Sequence, residues 1–439
     1  MTVNGVSTEN LYQIDGRVKL TKAVPYGLQH VLAMFVSNVT PIIILANIVG
    51  LESGLSSSLV QNAMIIAGIG TMIQLFPVWR IGSRLPVVMG ISFTFLSLAI
   101  GIATSQGMGT LMGAVIVGGI VEGLLGLFAY QWKKVISPII AAAVVTSIGF
   151  SLLPIGANSF AGGEGAADFG SAKNWIVGTV TLLTCFGFFA FAKGFLKSLS
   201  VLMGLIVGYV LAACIGMVNL SFMNVSVIDI PDFLPFKPEF KLGAILPIIC
   251  IYLVSATETI GDTSALTSFA FKREPTTKEL QGSISCDGFI SSLSGLFGCT
   301  PITSFSQNVG LLAMNHVVNR FTIATGAAIM IIAGLFPAVG VVLTSIPQCV
   351  LGGCTIMMFG SILYTGFNMI ASCGFTKRNL CILSLSLGIG VGFTQAPEMF
   401  GIFPDLIRSV FADNCVAIVF LIALVLDSCL PESSGWEME

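Results

Sequence analysis

Long apolar stretches, separated by short polar ones, run through the whole chain. Each is close to the ~20 residues that an α-helix needs to cross a bilayer. The pattern predicts fourteen spans, at 26–49, 58–79, 86–104, 108–131, 136–155, 174–192, 198–219, 243–266, 283–298, 300–315, 319–341, 345–371, 379–396 and 412–431. The third and tenth are short and are broken by proline, glycine and polar residues. The predicted fold class is therefore an all-α polytopic membrane protein.

Composition agrees with this prediction and excludes several classes of function. Of the 439 residues, 55% are hydrophobic and 9% are charged, whereas a soluble domain has about 25% charged residues. No basic patch with interleaved aromatic residues is present, so a nucleic-acid partner is excluded. The 11 cysteines are scattered singly, without the spacing of a metal site, and are expected to be reduced, structural thiols. We therefore expect no metal and no cofactor.

The placement of basic residues orients the spans. With both termini in the cytoplasm, cytoplasmic segments hold 15 of the 19 lysines and arginines. The four on the outer side are Lys173, Lys237, Lys241 and Arg408. This asymmetry is what the positive-inside rule expects, and adding or removing one span would destroy it.

Two segments of the chain resemble each other. The residues from Pro86 to Phe95 in span three match those from Pro301 to Gln307 in span ten, each with a proline followed by Ser-Phe. An offset of seven spans reverses the orientation of the second copy. Two inverted seven-span repeats are therefore predicted, with their interface near the middle of the bilayer.

The tenth span has a polar centre, from Thr303 to Asn308, directly after Pro301. Backbone polar groups in lipid must be satisfied internally, so such a stretch must be buried in protein or line an aqueous cavity. Interrupted spans of this kind indicate the binding site of a secondary transporter.

Two acidic residues lie within the eighth span. Glu258 and Asp262 are four residues apart and so share one helix face. Ionisable groups at this depth are costly and are functional candidates. A close carboxylate pair suits proton coupling or the ring N–H groups of a heterocycle; the alternative is a structural pair bonded to backbone amides of the broken spans.

The polar centre ends in two amides, Gln307 and Asn308. An amide offers a donor and an acceptor side by side, which matches the edge of a nucleobase. Gln307 is predicted to contact the ligand, whereas for Asn308 ligand contact and a structural tie stay open. Phe93 and Phe305 occupy matched repeat positions, where free backbone N–H groups and rings would suit a flat ligand.

Other polar residues within or at the ends of spans are also candidates. His30 is expected to assemble helices more than to contact ligand. Asp287 would hold the broken tenth span or take part in proton movement, and His316 is either solvated or involved in substrate choice. Glu122 lies among glycines in span four and has no partner that the sequence identifies.

These residues together resemble the nucleobase–ascorbate transporter family, also called nucleobase:cation symporter-2. The family signature is Gln, Glu or Pro, then Asn-x-Gly, four free positions, Thr, and Arg, Lys or Gly. Here it reads from Gln307-Asn308-Val309-Gly310 to Asn315 and His316, so the last two positions depart from it. The resemblance covers nearly the whole chain. It includes His30 in span one, Ser92 and Phe93 in span three, Glu258 and Asp262 in span eight, and Asp287 in span nine.

The resemblance implies two domains built from the inverted repeats. A core domain would comprise residues 23–134 and 242–342, and a gate domain residues 135–241 and 343–431. Residues 1–22 and 432–439 would be cytoplasmic tails. Spans three and ten would carry short antiparallel strands with the substrate between them. Movement of the core against the gate, like an elevator, in a homodimer of the cell membrane is what the family suggests.

The resemblance also implies roles for single residues. Glu258 and Gln307 would bond a purine ring, with Ser92, Phe93, Phe305 and Asn308 completing the substrate site. Asp262, His30 and Asp287 would support coupling to a cation, H⁺ or Na⁺, and Asn315 and His316 would influence selectivity. Glutamine at position 307 is typical of members that take xanthine or uric acid.

Three alternatives remain at this point. A permease of the same fold could take uracil or another pyrimidine, and a SulP-like carrier could take an anion, although the acids of span eight argue against an anion. A membrane-embedded enzyme would need a nucleophile–base set or a metal cluster. The chain has only two histidines and no His-Glu-x-x-His motif.

Overall fold

The computed structural model describes residues 9–129, 137–218, 226–403, 408, 411 and 415–431, apart from the side chains of residues 313 and 314. Several predicted parts of the chain lie outside these ranges: the C-terminal tail, the first eight residues, Lys133, Lys134 and one end each of spans four, five, seven and fourteen. The helices are α1 (Leu20–Val49), α2 (Ser53–Leu75), α3 (Leu96–Gln106), α4 (Met108–Leu127), α5 (Pro138–Phe160), α6 (Ala172–Phe191), α7 (Phe195–Ser198), α8 (Ser200–Cys214), α9 (Leu242–Phe271), α10 (Thr277–Leu296), α11 (Ser306–Asn315), α12 (Arg320–Gly334), α13 (Pro337–Thr344), α14 (Gln348–Cys373), α15 (Lys377–Phe393) and α16 (Cys415–Cys429). The strands are β1 (Met89–Ile91) and β2 (Ile302–Ser304), and short 3₁₀ helices cover Glu9–Tyr12, Phe93–Phe95 and Pro397–Ile402.

The described residues contain seven helices that are long and apolar enough to cross a membrane: α1, α2, α4, α5, α6, α9 and α14. Helices α12 and α13 together could form an eighth span, bent by 82° at the break between them. The predicted spans three and ten are strand–helix segments, with each strand followed by a short helix. The chain is thus a mostly helical, multi-pass membrane protein with few strands.

The two strands pair antiparallel across the repeats. Met89 faces Ser304, Gly90 faces Thr303 and Ile91 faces Ile302. Two further bonds extend the ladder, from Ser92 N–H to the Pro301 carbonyl and from Phe305 N–H to the Val88 carbonyl, each 2.9 Å. The similarity between the two segments therefore marks the place where the broken spans meet.

Side chains from neighbouring helices complete the outer edges of this ribbon. A two-stranded sheet is marginal by itself, and an unpaired backbone group at membrane depth costs several kcal/mol. Four backbone N–H groups of the strands donate to side-chain oxygens of the helices: Ile91 to Asn38 Oδ1 (2.8 Å), Met89 to Thr71 Oγ1 (3.0 Å), Ile302 to Ser291 Oγ (3.0 Å) and Ser304 to Asp287 Oδ2 (3.1 Å). Helices α1, α2 and α10 therefore hold the strands in place.

Helix α10 is unusually polar for a buried element. Ser283, Ser285, Ser291, Ser294 and Asp287 are all buried, so the helix could not face lipid. It begins with a capping box between Thr276 and Glu279 and packs against α2, α4, α9 and β2. Ser291 and Asp287 on its polar face accept hydrogen bonds from β2. The serine-rich composition of this span follows from that packing.

Gly90 allows close packing behind β1. A Cβ at this position would lie 2.5 Å from the Phe305 ring and 2.6 Å from the Met34 methyl group. We expect Gly90→Ala to lower the thermal unfolding temperature by several degrees, because overpacking a tight site costs about 1–3 kcal/mol. Unfolding in detergent measures this. The matched control is Gly101→Ala, where no atom lies within 4 Å of the added Cβ, and equal stability of the two variants would contradict the packing argument.

Candidate functional site

A cavity of about 430 Å³ lies beside the ribbon, within the usual range for small-molecule sites. One wall is formed by the strand–helix segments and by Glu258 of α9. The residues of this wall are Ile91, Ser92, Phe93, Thr94, Glu258, Thr303, Ser304, Phe305, Ser306, Gln307, Gly310 and Leu311. The opposite wall includes Val145 and Ile148 of α5 and Met357, Met358, Ser361, Ile362 and Thr365 of α14.

Glu258 faces this cavity, and Asp262 does not line it. The Thr94 hydroxyl donates to Glu258 Oε2 at 3.0 Å. The Ser306 hydroxyl donates to the Asp262 carboxylate, 2.7 Å from Oδ1 and 2.8 Å from Oδ2. Each acid therefore fixes the hydroxyl residue that follows the phenylalanine of one broken span. These partners are side-chain hydroxyls, not the backbone amides that the structural alternative invoked.

Thr94 and Ser306 are contacts that the sequence reasoning missed. The signal was present in the repeat, because Ser92-Phe93-Thr94 corresponds to Ser304-Phe305-Ser306. The two hydroxyls contact acids one helical turn apart on α9. The internal repeat thus extends to the way in which each half is attached to this helix.

Asp287 anchors β2 with a dense set of hydrogen bonds. Its carboxylate accepts from the Thr259 hydroxyl (2.6 Å), the Gln74 amide (3.1 Å), the Ser304 N–H (3.1 Å) and the Ser304 hydroxyl (3.2 Å). The side chain is fully buried. It joins α2, α9 and α10 to the strand, as expected for a residue that holds the broken tenth span.

Gln307 and Asn308 are adjacent but face different surroundings. Gln307 lines the cavity and is exposed to it. Asn308 is buried, and its Nδ2 lies 3.2 Å from His30 Nδ1 and donates to the His30 carbonyl at 3.1 Å. Neither Asn308 nor His30 lines the cavity. These contacts favour the structural interpretation of Asn308, which ties α11 to α1.

The two phenylalanines line the cavity together with Ser92. The Phe93 ring meets Phe359 of α14 edge-on, with 5.3 Å between ring centres. The expectation of a free backbone N–H is wrong at Phe305, because that N–H donates to the Val88 carbonyl. The strand pairing uses this donor, so Phe305 can offer the ligand only its ring. The Ser92 hydroxyl accepts from Thr94 N–H at 3.3 Å.

Asn315 and His316 lie at the far end of α11 and do not line the cavity. His316 ends the helix in the left-handed region, with φ of 56°, and is exposed. The Asn315 side chain accepts from Val317 N–H at 2.9 Å. Any effect of these two residues on selectivity would act through the position of α11.

The end of this signature segment is covered by the chain's N-terminal residues. Arg320 forms an ion pair with Asp15, which also contacts Arg84 at 3.0 Å. These two guanidinium groups hold the pKa of Asp15 below its usual value, mainly through the hydrogen bond from Arg320. Asp15 is largely exposed, so the ion pairs contribute little to stability.

The cavity has room for a small ring compound. It is lined by one carboxylate (Glu258), one free amide (Gln307), the Lys197 amine and three aromatic rings (Phe93, Phe189 and Phe305), and the first residues of α11 also line it. Among the described residues, no group of three or more His, Cys, Asp or Glu side chains could hold a metal ion. Polar side chains lie on both walls, and the carboxylate and the free amide share one of them, as in pockets that orient a ligand by a few hydrogen bonds.

Comparisons with known proteins identify the family. The family model described as the Permease family matches residues 21–399. The xanthine permease XanQ of Escherichia coli strain K12 is 32% identical over 455 residues, which cover 100% of this chain and 97% of XanQ. The uric acid permease PucK of Bacillus subtilis is 33% identical, covering 91% of this chain and 93% of that protein.

Solved structures share the fold at much lower identity. The transmembrane domain of the cyanobacterial bicarbonate transporter BicA superposes with a TM-score of 0.57 at 14% identity, covering 95% of this chain and 100% of that domain. SLC26A9 superposes with a TM-score of 0.60 at 12% identity, covering 93% of this chain and 66% of that one. At such identities the likeness concerns the fold alone. The sequence match carries the assignment, and the chain belongs to the Permease family of membrane transport proteins.

Proposed function

We propose that this protein imports a purine nucleobase, xanthine or uric acid, together with a proton. The observation that carries the proposal is the pair of Glu258 and Gln307, which face the same cavity from α9 and α11. Relatives at 32–33% identity that bear the names xanthine permease and uric acid permease support the choice of substrate.

The chemistry of the wall suits an oxidised purine. A carboxylate accepts hydrogen bonds from ring N–H groups, and an amide offers a donor beside an acceptor. Phe93 and Phe305 present apolar ring surface to a flat ligand. Ser92 and Thr94 add hydroxyls at the edge of the cavity. In this proposal Asn308 and His30 keep α11 in place, and Asp262 fixes its first residue.

The proposal includes the two-domain architecture. Fourteen segments would form two inverted repeats, with residues 23–134 and 242–342 as the core domain and 135–241 and 343–431 as the gate domain. Two observations support it: the strands of the two halves pair at the centre, and helices of each proposed domain form one wall of the cavity. Elevator-like movement of the core along the gate would then carry the ligand across.

The remaining elements of the proposal concern the cellular setting. Both termini would lie in the cytoplasm, because the basic residues are concentrated on that side. The protein would work as a homodimer in the cell membrane. No cofactor enters the proposed transport cycle, and no chemical bond of the substrate changes, so the protein would act as a carrier and not as an enzyme.

Transport of an anion or a pyrimidine is less well supported. The structural neighbours named for bicarbonate or anion transport share only the fold. The Glu258 carboxylate in one wall would repel an anion, although Lys197 also lines the cavity. A pyrimidine would fit the cavity, but the named relatives of high coverage are permeases for xanthine and uric acid.

Uptake competition tests the choice of substrate. Cells that lack their own nucleobase permeases and express this chain would take up labelled xanthine. We expect unlabelled xanthine or uric acid at tenfold excess to reduce the signal at least fivefold, and uracil to leave it unchanged. Cells with the empty vector are the control. Uptake of uracil without any uptake of xanthine or uric acid would show that the purine proposal is wrong.

The driving ion is tested in the same cells. A protonophore should abolish accumulation of xanthine, whereas replacing Na⁺ with K⁺ should leave it within twofold. Accumulation that follows the Na⁺ gradient and ignores the protonophore would contradict proton coupling.

A further inference from the structure

Glu122 is a buried carboxyl group that the site described above does not use. It lies in α4 with an exposed fraction of 0%. Neither of its side-chain oxygens has a hydrogen bond of standard geometry among the described residues, and the Ser255 hydroxyl faces the carboxyl group. Buried polar groups are almost always satisfied, so a carboxyl group without such a bond requires an explanation.

The packing around Glu122 leaves little space for water. Helix α4 packs along α10 through glycines on both helices: a Cβ on Gly119 would lie 2.6 Å from the Gly288 carbonyl, and a Cβ on Gly288 would lie 2.1 Å from Gly123 N. A Cβ on Gly126 would lie 2.4 Å from Ser285 N. Backbones that approach this closely hold Glu122 in a fixed, dry position between α9 and α10.

Among the described residues, no positively charged group faces Glu122. The titratable groups around it are Tyr252 and Glu258 on α9 and Asp287 on α10, and α3, which also packs against α4, contains none. An ionised carboxylate here would have no cation among the described residues and would have the Ser255 hydroxyl as a facing donor. Burying an unpaired charge costs several kcal/mol, so in this conformation the group is held as the neutral acid.

The position of Glu122 connects it to the substrate wall. The Ser255 hydroxyl of α9 faces Glu122 and makes no hydrogen bond of standard geometry to any other described residue. Ser255 is three residues before Glu258 and four before Thr259, so the three share one helix face. Thr259 donates to Asp287. Ser255, which faces Glu122, is therefore about one helical turn from Glu258 and from Thr259, the partner of Asp287.

We propose that Glu122 binds the proton that is co-transported, which rests on the proton symport proposed above. The proton would enter from the outer solution, form the O–H bond of the neutral acid, and leave to cytoplasmic water once movement of the core exposes the group. The carboxyl group is regenerated unchanged in each cycle.

A metal cation fits this position less well than a proton does. Hard cations take about six or more oxygen ligands, whereas Glu122 and Ser255 supply three. The facing glycines leave no room for bound water to supply the rest. A proton needs one oxygen and no coordination shell, so the tight packing does not oppose it.

The experiment uses Glu122→Gln in proteoliposomes containing the purified full-length protein. Glutamine keeps the shape of the neutral acid and cannot release a proton. We expect xanthine accumulation driven by a pH gradient to fall at least tenfold, while exchange of internal for external xanthine without a gradient stays within twofold. Glu274→Gln, in the exposed segment between α9 and α10, is the control and should preserve both activities.

An infrared measurement provides a readout that needs no transport. A pH-difference spectrum of the wild type should contain a carboxylic-acid C=O band that is absent from Glu122→Gln and is retained in Glu258→Gln. Gradient-driven accumulation at the wild-type level in Glu122→Gln, or an unchanged infrared band, would overturn the inference. Equal loss of exchange and accumulation in a folded variant would also overturn it, since that would indicate a role in binding or packing.

Two failures can be told apart. If wild-type protein shows neither exchange nor accumulation of xanthine or uric acid, the proposed function fails, and the co-transport assignment fails with it. If the wild type accumulates purine and Glu122→Gln does so equally, only the inference about Glu122 fails.

Discussion

A Glu258→Gln variant is expected to reach the membrane in normal amount and to take up xanthine about 10- to 100-fold more slowly than wild type. Hydrogen bonds to charged groups contribute about 1.5–3 kcal/mol each, and a factor of ten corresponds to about 1.4 kcal/mol. The amide of glutamine would turn a donor toward the ring N–H group of the substrate. Initial uptake rates of labelled xanthine at several concentrations measure the effect.

The fold should survive this change. Thr94 holds Glu258 by one hydrogen bond at 3.0 Å, and the glutamine Oε1 can still accept it. Glu52→Gln, at the exposed start of α2, is the matched control and should transport like wild type. A Glu258→Gln variant with unchanged uptake and unchanged KM would show that this carboxylate does not bind the substrate.

Asp287→Ala is expected to remove most of the folded protein from the membrane. The substitution leaves the Ser304 N–H, the Ser304 hydroxyl and the Thr259 hydroxyl without their acceptor. Each buried group without a partner costs about 1–3 kcal/mol, so a loss of more than ~3 kcal/mol follows for the set. Quantitative blotting of membranes and thermal unfolding of the purified protein measure it.

Asp287→Asn separates the structural role from a role in proton movement. The asparagine Oδ1 still accepts from Ser304 N–H, so stability should be intermediate between wild type and Asp287→Ala. Asp229→Asn, in an exposed loop, is the control. If Asp287→Ala were as stable and abundant as wild type, the anchoring of β2 by this carboxylate would not matter for the fold.

Part of the site was predictable because membrane depth makes polar residues conspicuous. Glu258 and Gln307 were predicted to contact the ligand because a charged or amide side chain within a span is energetically costly unless it has a polar partner. The structure places both residues in the wall of the cavity. The short strands and their pairing also lie where the broken spans were predicted. The partners of the acids were not predictable, because Thr94, Ser306 and Gln74 look like ordinary span residues until the helices are packed.

The sequence by itself determined the class of the protein, the location of the broken segments and which acidic residues lie within apolar segments. Those features follow from local rules: hydropathy fixes which segments can enter lipid, and the cost of charge in lipid marks the exceptions. The tertiary structure alone decided which residues share the cavity. In the folded chain Gln307 faces the cavity, whereas Asn308 faces His30. The Phe305 N–H is paired with the Val88 carbonyl. Glu122 lies beside close glycine contacts and acidic neighbours. Each of these depends on contacts between residues far apart in the chain, and hydropathy and spacing carry no information about such contacts.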